Sequence, residues 1–442
     1  MNTKRISAVL CACLLCFCAE ARAQSKSSTS GPPTELEKLA GHGKVTTGKS
    51  ARFALPDSVE LVDGLSADEA VAVALWNNAA FQSSLSELGI ARAALVEAGL
   101  LHNPTFSFLF PLGPKQLEFT LLAPIEAIWQ RPKRIAAAER EYDRVSQSLV
   151  PNGLDLVRDV RLAFAEAAIA ETRAALAAEQ VKERTQLLKI TNVRFRAGDI
   201  SELETSAARL DERLAEEQAA RLTQAANVAR VRLRTLLGME EDSGFALTPT
   251  TESISTTALP ELTKQALAAR PELRAAELTL EAAGARAKWE RSKIFSLMTT
   301  LDANGEGVKG FEMGPGLQFE IPLFHRNKGG ITRAAAEIER AARHYAATRQ
   351  RIVMEVQEAH ARVTQAHSAL TQWRTRVLPP IAEDIRHATR AYDTGEVAYL
   401  FVLENARRLT EARLREVDAR ADVQRAAVAL ERSVGGKLNV QK

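Results

Sequence analysis

The feature that most constrains this chain is an internal duplication. The stretch "DEAVAVALWNNAAFQSSLSELGIARAAL" aligns with "PELTKQALAARPELRAAELTLEAAGARA", placing Ala74 and Leu75 opposite Ala266 and Leu267. Pro124 faces Pro322, the "AAAE" at Ala136 faces the one at Ala334, and Gly198 faces Gly395. The offset stays between 192 and 198, so two tandem units have drifted mainly in their loops. A repeat of this kind governs the architecture, because each unit must fold alike and pack on its copy. The expected units are 61–248 and 249–436, with a tail at 437–442.

Within each unit the hydrophobic period changes twice. From about Ser66 to Leu101 it is helical, and Ser66 with Glu69 forms a capping box ahead of the first apolar face. Asn103-Pro104 then stops the helix. Phe106, Phe108 and Phe110 fall on one side of an extended chain, as do Leu117, Phe119 and Leu121, with "PLGPK" as the turn between them. The second unit repeats this with a strand near "IFSLMTTLDA", a loop through Gly305, Gly307 and Gly310, and then Leu317, Phe319 and Ile321 alternating with Gln318 and Glu320. Hairpins are therefore expected at about 104–123 and 294–322.

After each hairpin comes a long Ala/Arg/Glu-rich helix. In the second, Ile352, Val356, Ala359, Val363, Ala366 and Leu370 recur at the alternating spacings of a coiled coil. The pattern from Ile331 to Thr394 covers 64 positions, about 95 Å of unbroken helix at roughly 1.5 Å per residue. Pro151-Asn152-Gly153 and Pro379-Pro380 are expected to kink or interrupt these helices. Gly198 and Gly395 mark reversals, since glycine accepts the positive φ that ends a helix.

The N-terminus has a basic start, an apolar run from Ile6 to Ala19 and an Ala21-Arg22-Ala23 cleavage pattern. Residues 1–23 read as an export signal, followed by a Ser/Gly/Pro-rich tether over 24–60. All four cysteines (Cys11, Cys13, Cys16, Cys18) lie in that signal, so cleavage after Ala23 leaves no disulfide and no Cys-ligated metal. A lipobox-like Leu10-Cys11-Ala12-Cys13 leaves lipidation as the competing reading. The formal charge is +3, with signs finely mixed as on solvated helix faces, and nothing in it argues for nucleic acid. Hydrophobic residues make up 46% of the chain, enough to build a sizeable core and to argue against disorder. Beyond the signal no apolar stretch is long enough for a transmembrane helix. A β-barrel remains open.

Two hairpins give four strands with one apolar face and two open edges, and such a sheet cannot sit in lipid with its edge groups unpaired. Several chains must close it: two give an eight-stranded barrel filled by side chains, and three give twelve strands and an open lumen. Outward Phe, Leu and Ile with inward Glu118, Thr120, Gln318 and Glu320 fits lipid outside and water inside. Alternation alone leaves open a water-soluble sheet packed on one face.

Together the duplication, "HNPTFSF", "EIPLFHRNKGGI" and the reversals "RFRAGDIS" and "AYDTGEVAYLFVLENAR" resemble the TolC-type outer-membrane factors of tripartite efflux and secretion systems, from Leu61 to Gly436. The resemblance implies a mainly α fold with a small β part. It implies further a homotrimer whose long helices form an α-barrel tunnel across the periplasm and whose four strands per chain share a 12-stranded transmembrane β-barrel in the outer membrane of a Gram-negative bacterium. Pro124 and Pro322 are then the barrel-to-tunnel junctions, and Arg131, Lys133, Arg134, Arg326 and Lys328 lie near the lipid boundary, where plain solvation would equally account for them. Arg196, Gly198, Asp199 and Ser201, with Gly395, Glu396 and Val397, become the tips that dock a periplasmic adaptor (membrane fusion protein) fed by an inner-membrane pump of RND or ABC type. In the family, carboxylates six and nine residues after the second tip glycine form constricting rings. Here those positions hold Phe401, a departure, and Glu404. The stretch "LAPIEAIWQRPKR" resembles the heavy-metal-exporting branch.

No nucleophile–base pair, phosphate loop or metal triad is visible, so neither an enzyme nor a bound cofactor is expected. His360 and His367 are two turns apart on one helix without a third ligand, and helix surface accounts for them. The alternative function is a periplasmic adaptor or coiled-coil scaffold, but an adaptor would carry one helical hairpin flanked by lipoyl-like and barrel-like β segments.

Overall fold

A computed structural model describes residues 55–56, 59, 64–110, 118–239, 245–248, 258–306, 310–324 and 326–436. The expected signal and tail, almost all of the tether, the "PLGPK" turn, Leu117, Gly307 and His325 lie outside the described residues. Chain order is α1 (Ala67–Asn77), α2 (Ala79–Gly99), β1 (Thr105–Leu109), β2 (Glu118–Pro124), α3 (Glu126–Ala197) and α4 (Glu202–Leu237). The second half follows as α5 (Leu259–Ala269), α6 (Pro271–Ser292), β3 (Leu297–Glu306), β4 (Gly310–Phe319), α7 (Lys328–Gln372), α8 (Leu378–Asp393) and α9 (Tyr399–Val434).

The duplication is visible residue by residue. Each half opens with a short helix broken from a longer one, at Asn78 and at Arg270. Each ends its returning helix on a glycine of positive φ, 71° at Gly238 and 89° at Gly435. The first core packs Val71, Leu75, Val160, Phe164, Leu233 and Leu237, and the second packs Leu262, Ala266, Ile352, Val356, Leu430 and Val434. Val160 and Ile352 are 192 positions apart, within the sequence offset.

Three expectations are corrected. The span from Ser66 to Leu101 is two helices: the capping box is present, but Asn78 caps α2 at Phe81 N and donates its side-chain amide to Leu236 O of α4. Pro151 does not interrupt α3, which runs for 72 residues, about 108 Å. The lost hydrogen bond is outweighed by burial of Leu149, Val150, Leu154 and Leu156 around it. Finally, Gly305 and Gly310 belong to strands of 10 residues each, so the loop between them is shorter than expected. Pro379-Pro380 does mark a change, since a π-helical turn at Trp373–Val377 separates α7 from α8.

Near the sheet the helices lie in the order α2–α3–α6–α7, and toward the reversals in the order α4–α3–α9–α8. The sheet order is β1–β2–β3–β4, all antiparallel. Register puts Phe106, Phe108, Phe119, Leu121, Leu301, Ala303, Met313, Leu317 and Phe319 on one face. Glu118, Thr120, Asp302 and Gln318 share the other, where Thr120 Oγ1 donates to Asp302 Oδ1 at 3.0 Å.

Candidate functional site

The reversals are built alike. α3 stops at Gly198, φ 82°, whose N–H donates to Phe195 O while Asp199 N–H donates to Arg194 O. Ser201 then caps α4 by accepting from Glu204 N–H at 3.3 Å. At the second reversal Gly395, φ 81°, follows α8, Glu396 N–H donates to Ala391 O, and Thr394 Oγ1 donates to the Glu396 carboxylate at 3.0 Å. A Cβ on either glycine meets no atom within 4 Å, so backbone conformation, not space, demands glycine. Arg196, Gly198, Asp199, Ser201, Gly395 and Glu396 are exposed, whereas Val397 is half-buried.

Val397 belongs to an apolar cluster of Ala208, Ala388, Tyr392, Tyr399, Val402 and Leu403 that draws on α4, α8 and α9, so the two reversals form one body. Beside it lies an ionic knot that sequence reading missed. Asp211 of α4 and Arg184 of α3 are both buried, with Arg184 Nε 3.1 Å from Asp211 Oδ2 but without hydrogen-bond geometry. Arg407 of α9 donates two bonds to Asp211 Oδ1, at 3.0 and 2.8 Å. Burial and then the Asp211 charge push the Tyr399 hydroxyl above its ordinary pKa. Arg194 stacks on the Tyr392 ring at 4.1 Å.

Phe401 and Glu404 sit in the first turns of α9, both exposed, while Val402 and Leu403 turn inward. The Glu404 carboxylate accepts from Arg408 Nε at 3.2 Å.

At the sheet end Pro124 is the last residue of β2, and Ile125 N–H donates to Leu297 O before α3 begins. Arg131 and Arg134 close off the end of α2, where their Nε groups donate at 2.8 Å to Gly99 O and Ala98 O and so satisfy carbonyls that the helix leaves open. Pro322 lies beyond the end of β4, in the segment leading to α7. Asn327, φ 50°, turns the chain into α7 and donates to the Glu290 carbonyl and carboxylate at 2.8 and 2.9 Å.

Where α9 ends and α5 gives way to α6, Arg432 binds Asp155 (2.9 Å) and Glu272 (2.6 Å), and Arg270 binds Glu272, Glu355 and Ser433 O. Burial would raise the Glu272 pKa, but hydrogen bonds from Arg270 and the charge of Arg432 outweigh it and lower it. Among the described residues no helix is long and apolar enough to cross a membrane, and no cluster of three or more His, Cys, Asp or Glu could hold a metal.

A sheet with one apolar face and two open edges, set on helices of this length, defines a subunit of a membrane channel that must be completed by other chains. Residues 115–239 and 262–436 match the outer membrane efflux protein family, and the chain belongs to it. It is 24% identical over 381 residues to the cobalt-zinc-cadmium resistance protein CzcC of Cupriavidus metallidurans, covering 85% of this chain and 91% of that one. The crystal structure of CusC superposes with a TM-score of 0.72 at 18% identity, covering 89% of this chain and 98% of CusC. The MtrE outer membrane channel of Neisseria gonorrhoeae gives 0.68 at 18% identity, covering 89% and 96%. The protein is thus the outer-membrane channel component of a tripartite efflux system, and the adaptor or scaffold alternative is set aside. Members of the family form trimeric channels that work with an adaptor and an inner-membrane pump, as transport conduits.

Proposed function

We propose that three copies of this chain close a twelve-stranded barrel over a helical tunnel and form a passive outlet for divalent heavy-metal cations. The observation that carries the reading is the four-stranded sheet, apolar on one face and, among the described residues, without a partner along the outer edges of β1 and β4. In lipid those edges can be satisfied only by further copies. The opposite face, with Glu118, Asp302, Thr120 and Gln318, then lines water.

The cation cargo draws its support from the likeness to CzcC. The exposed tips, Arg196, Gly198, Asp199 and Ser201 with Gly395 and Glu396, take the periplasmic adaptor, and Val397 holds the second tip in shape from within. The adaptor is in turn fed by an inner-membrane pump of RND or ABC type. Phe401 and Glu404 form the constriction, where three copies of Glu404 place a ring of negative charge that favours cations.

The first test is the native mass of the full chain extracted from outer membranes in detergent. Three copies per particle are expected, and a soluble monomer overturns the reading. Growth of a strain lacking the chain on cobalt, zinc and cadmium tests the cargo: unchanged tolerance to all three removes it.

A further inference from the structure

The two edges of the helical layer differ. Along α4, at one edge, Leu203, Leu210, Leu214, Val228 and Val231 are 79%, 60%, 53%, 69% and 50% exposed. Along α7, at the other, Met354, Gln357, Ala361, Gln365, Ser368 and Gln372 are all exposed. They recur three or four residues apart on the side of α7 opposite its buried row from Ile352 to Leu370. None of the six is charged, in a chain that is 26% charged. Solvated helix faces carry charge, and depletion of charge marks a face that is covered in an assembly.

The duplication identifies the cover. Within the chain α3 packs on α9, where Ile169 sits with Val417 and Ala421 between the ion pairs Arg161–Glu431 and Arg173–Asp418. α9 is the copy of α4 at an offset of 197, fixed at both ends by Gly198–Gly395 and Gly238–Gly435. α7 is the copy of α3. Counted back from the same reversal, less the one residue that the π-helical turn inserts, its offset above that turn is 196. Ile169 then corresponds to Gln365 and Arg161 to Gln357, both in the uncharged row, while Ala421 corresponds to the exposed Gln224 of α4. The faces that close α3 on α9 therefore have counterparts on α7 and α4. Within one chain those two helices cannot meet, because α3 and α9 lie between them.

We propose that α4 of one copy packs on the uncharged row of α7 of the next, in the register in which α9 packs on α3. The inference rests on the channel reading above and deepens it by assigning the faces that meet between copies. Opposite edges joined front to back generate a ring. Asp418 and Glu431 correspond to Arg221 and Arg234, and the α7 row holds no carboxylate to receive them. The seam between copies is thus built of apolar and amide contacts where the seam within the chain is ionic.

The test is disulfide cross-linking of the full chain in outer membranes, with Gln224→Cys and Gln365→Cys combined. Ala361→Cys replaces the second in a parallel variant and covers a register one turn away. All four natural cysteines precede position 19, ahead of the expected cleavage site, so no other thiol competes. In one chain three helix-to-helix steps of about 8–10 Å separate the two positions, far beyond the roughly 7 Å between Cα atoms that a disulfide spans. Any bond therefore joins two chains. Oxidation is expected to give covalent trimers on a denaturing gel with at least one pair, and none with any single cysteine. Particles of trimeric native mass in which neither pair cross-links overturn the proposal and leave the α4 face to the adaptor. Covalent dimers from Gln224→Cys alone overturn it in favour of like edges meeting. If the unsubstituted chain has the native mass of a monomer, the channel reading fails with it.

Discussion

Replacing Asp211 with alanine isolates the energetics of the tips. The side chains of Arg184 and Asp211 are 6% and 7% exposed, so removing the carboxylate leaves a guanidinium with neither water nor a counter-charge. Breaking a buried pair from one side costs about 3–5 kcal/mol. Arg407, half exposed, regains water and adds at most about 1 kcal/mol. The cost falls on the packing of α3, α4 and α9 near the reversals, where local opening is read by amide exchange. Amides in the first turns of α4 and α9 should exchange faster by roughly 100-fold to several thousand-fold. Those of α1 and α5, packed in separate cores, should not change. A paired Arg184→Leu, Asp211→Leu variant should recover most of the protection, because no buried charge is left alone. If Asp211→Ala accelerates exchange at the tips by less than about tenfold, the knot does not hold them.

Glu404→Gln should lower the cation preference of single channels in planar bilayers, since it removes the carboxylate from each Glu404–Arg408 pair and leaves the Arg408 charge unopposed there. Unchanged selectivity removes Glu404 from the constriction. On the sheet, Leu301→Arg should weaken folding into vesicles by about 2–4 kcal/mol, roughly 30-fold or more, because Leu301 sits between Leu121 and Pro315 on the apolar face. Asp302→Ala on the opposite face should have a small effect, and equal effects would contradict the assigned sidedness. Glu272 has a lowered folded pKa, so its contribution is complete above its ordinary value of 4.5 and is lost as pH falls through the lowered one. Glu272→Gln should therefore destabilise at neutral pH and flatten the acid limb of inactivation, whereas an unchanged acid limb would assign that limb to other carboxylates.

What could be read from sequence was what repeats or alternates. The Ser66–Glu69 cap, the positive-φ glycines and the buried row from Ile352 to Leu370 each leave a short local signature, and each has the expected place. What escaped depends on partners far along the chain. The break at Asn78 interrupts an apolar pattern that runs straight through it, and its anchor is Leu236 O, 158 residues away. Asp211 looks like any other carboxylate on a mixed-charge helix until Arg407, 196 residues away, is brought against it. Arg131 and Arg134 resemble a plain basic turn because the carbonyls they satisfy belong to a helix on the other side of the hairpin. Pro151 misled for the opposite reason: a strong local signal was outweighed by the burial of Leu149, Val150, Leu154 and Leu156 on the packed side of the helix.

The duplication also bears on how the sheet is completed. Each unit contributes one hairpin, and within the chain the two hairpins meet along β2 and β3 in an antiparallel ladder from Glu118–Asn304 to Pro124–Met298. The strands left open are the first of the first unit and the last of the second. In a ring of copies, β4 of one chain meets β1 of the next in the same sense in which β2 meets β3, because each junction joins the second strand of one hairpin to the first of another. The contact between subunits is thus a repetition of one already made within the subunit. A duplicated hairpin therefore needs no new kind of interface to close a barrel, and three copies bring six equivalent hairpins around one axis.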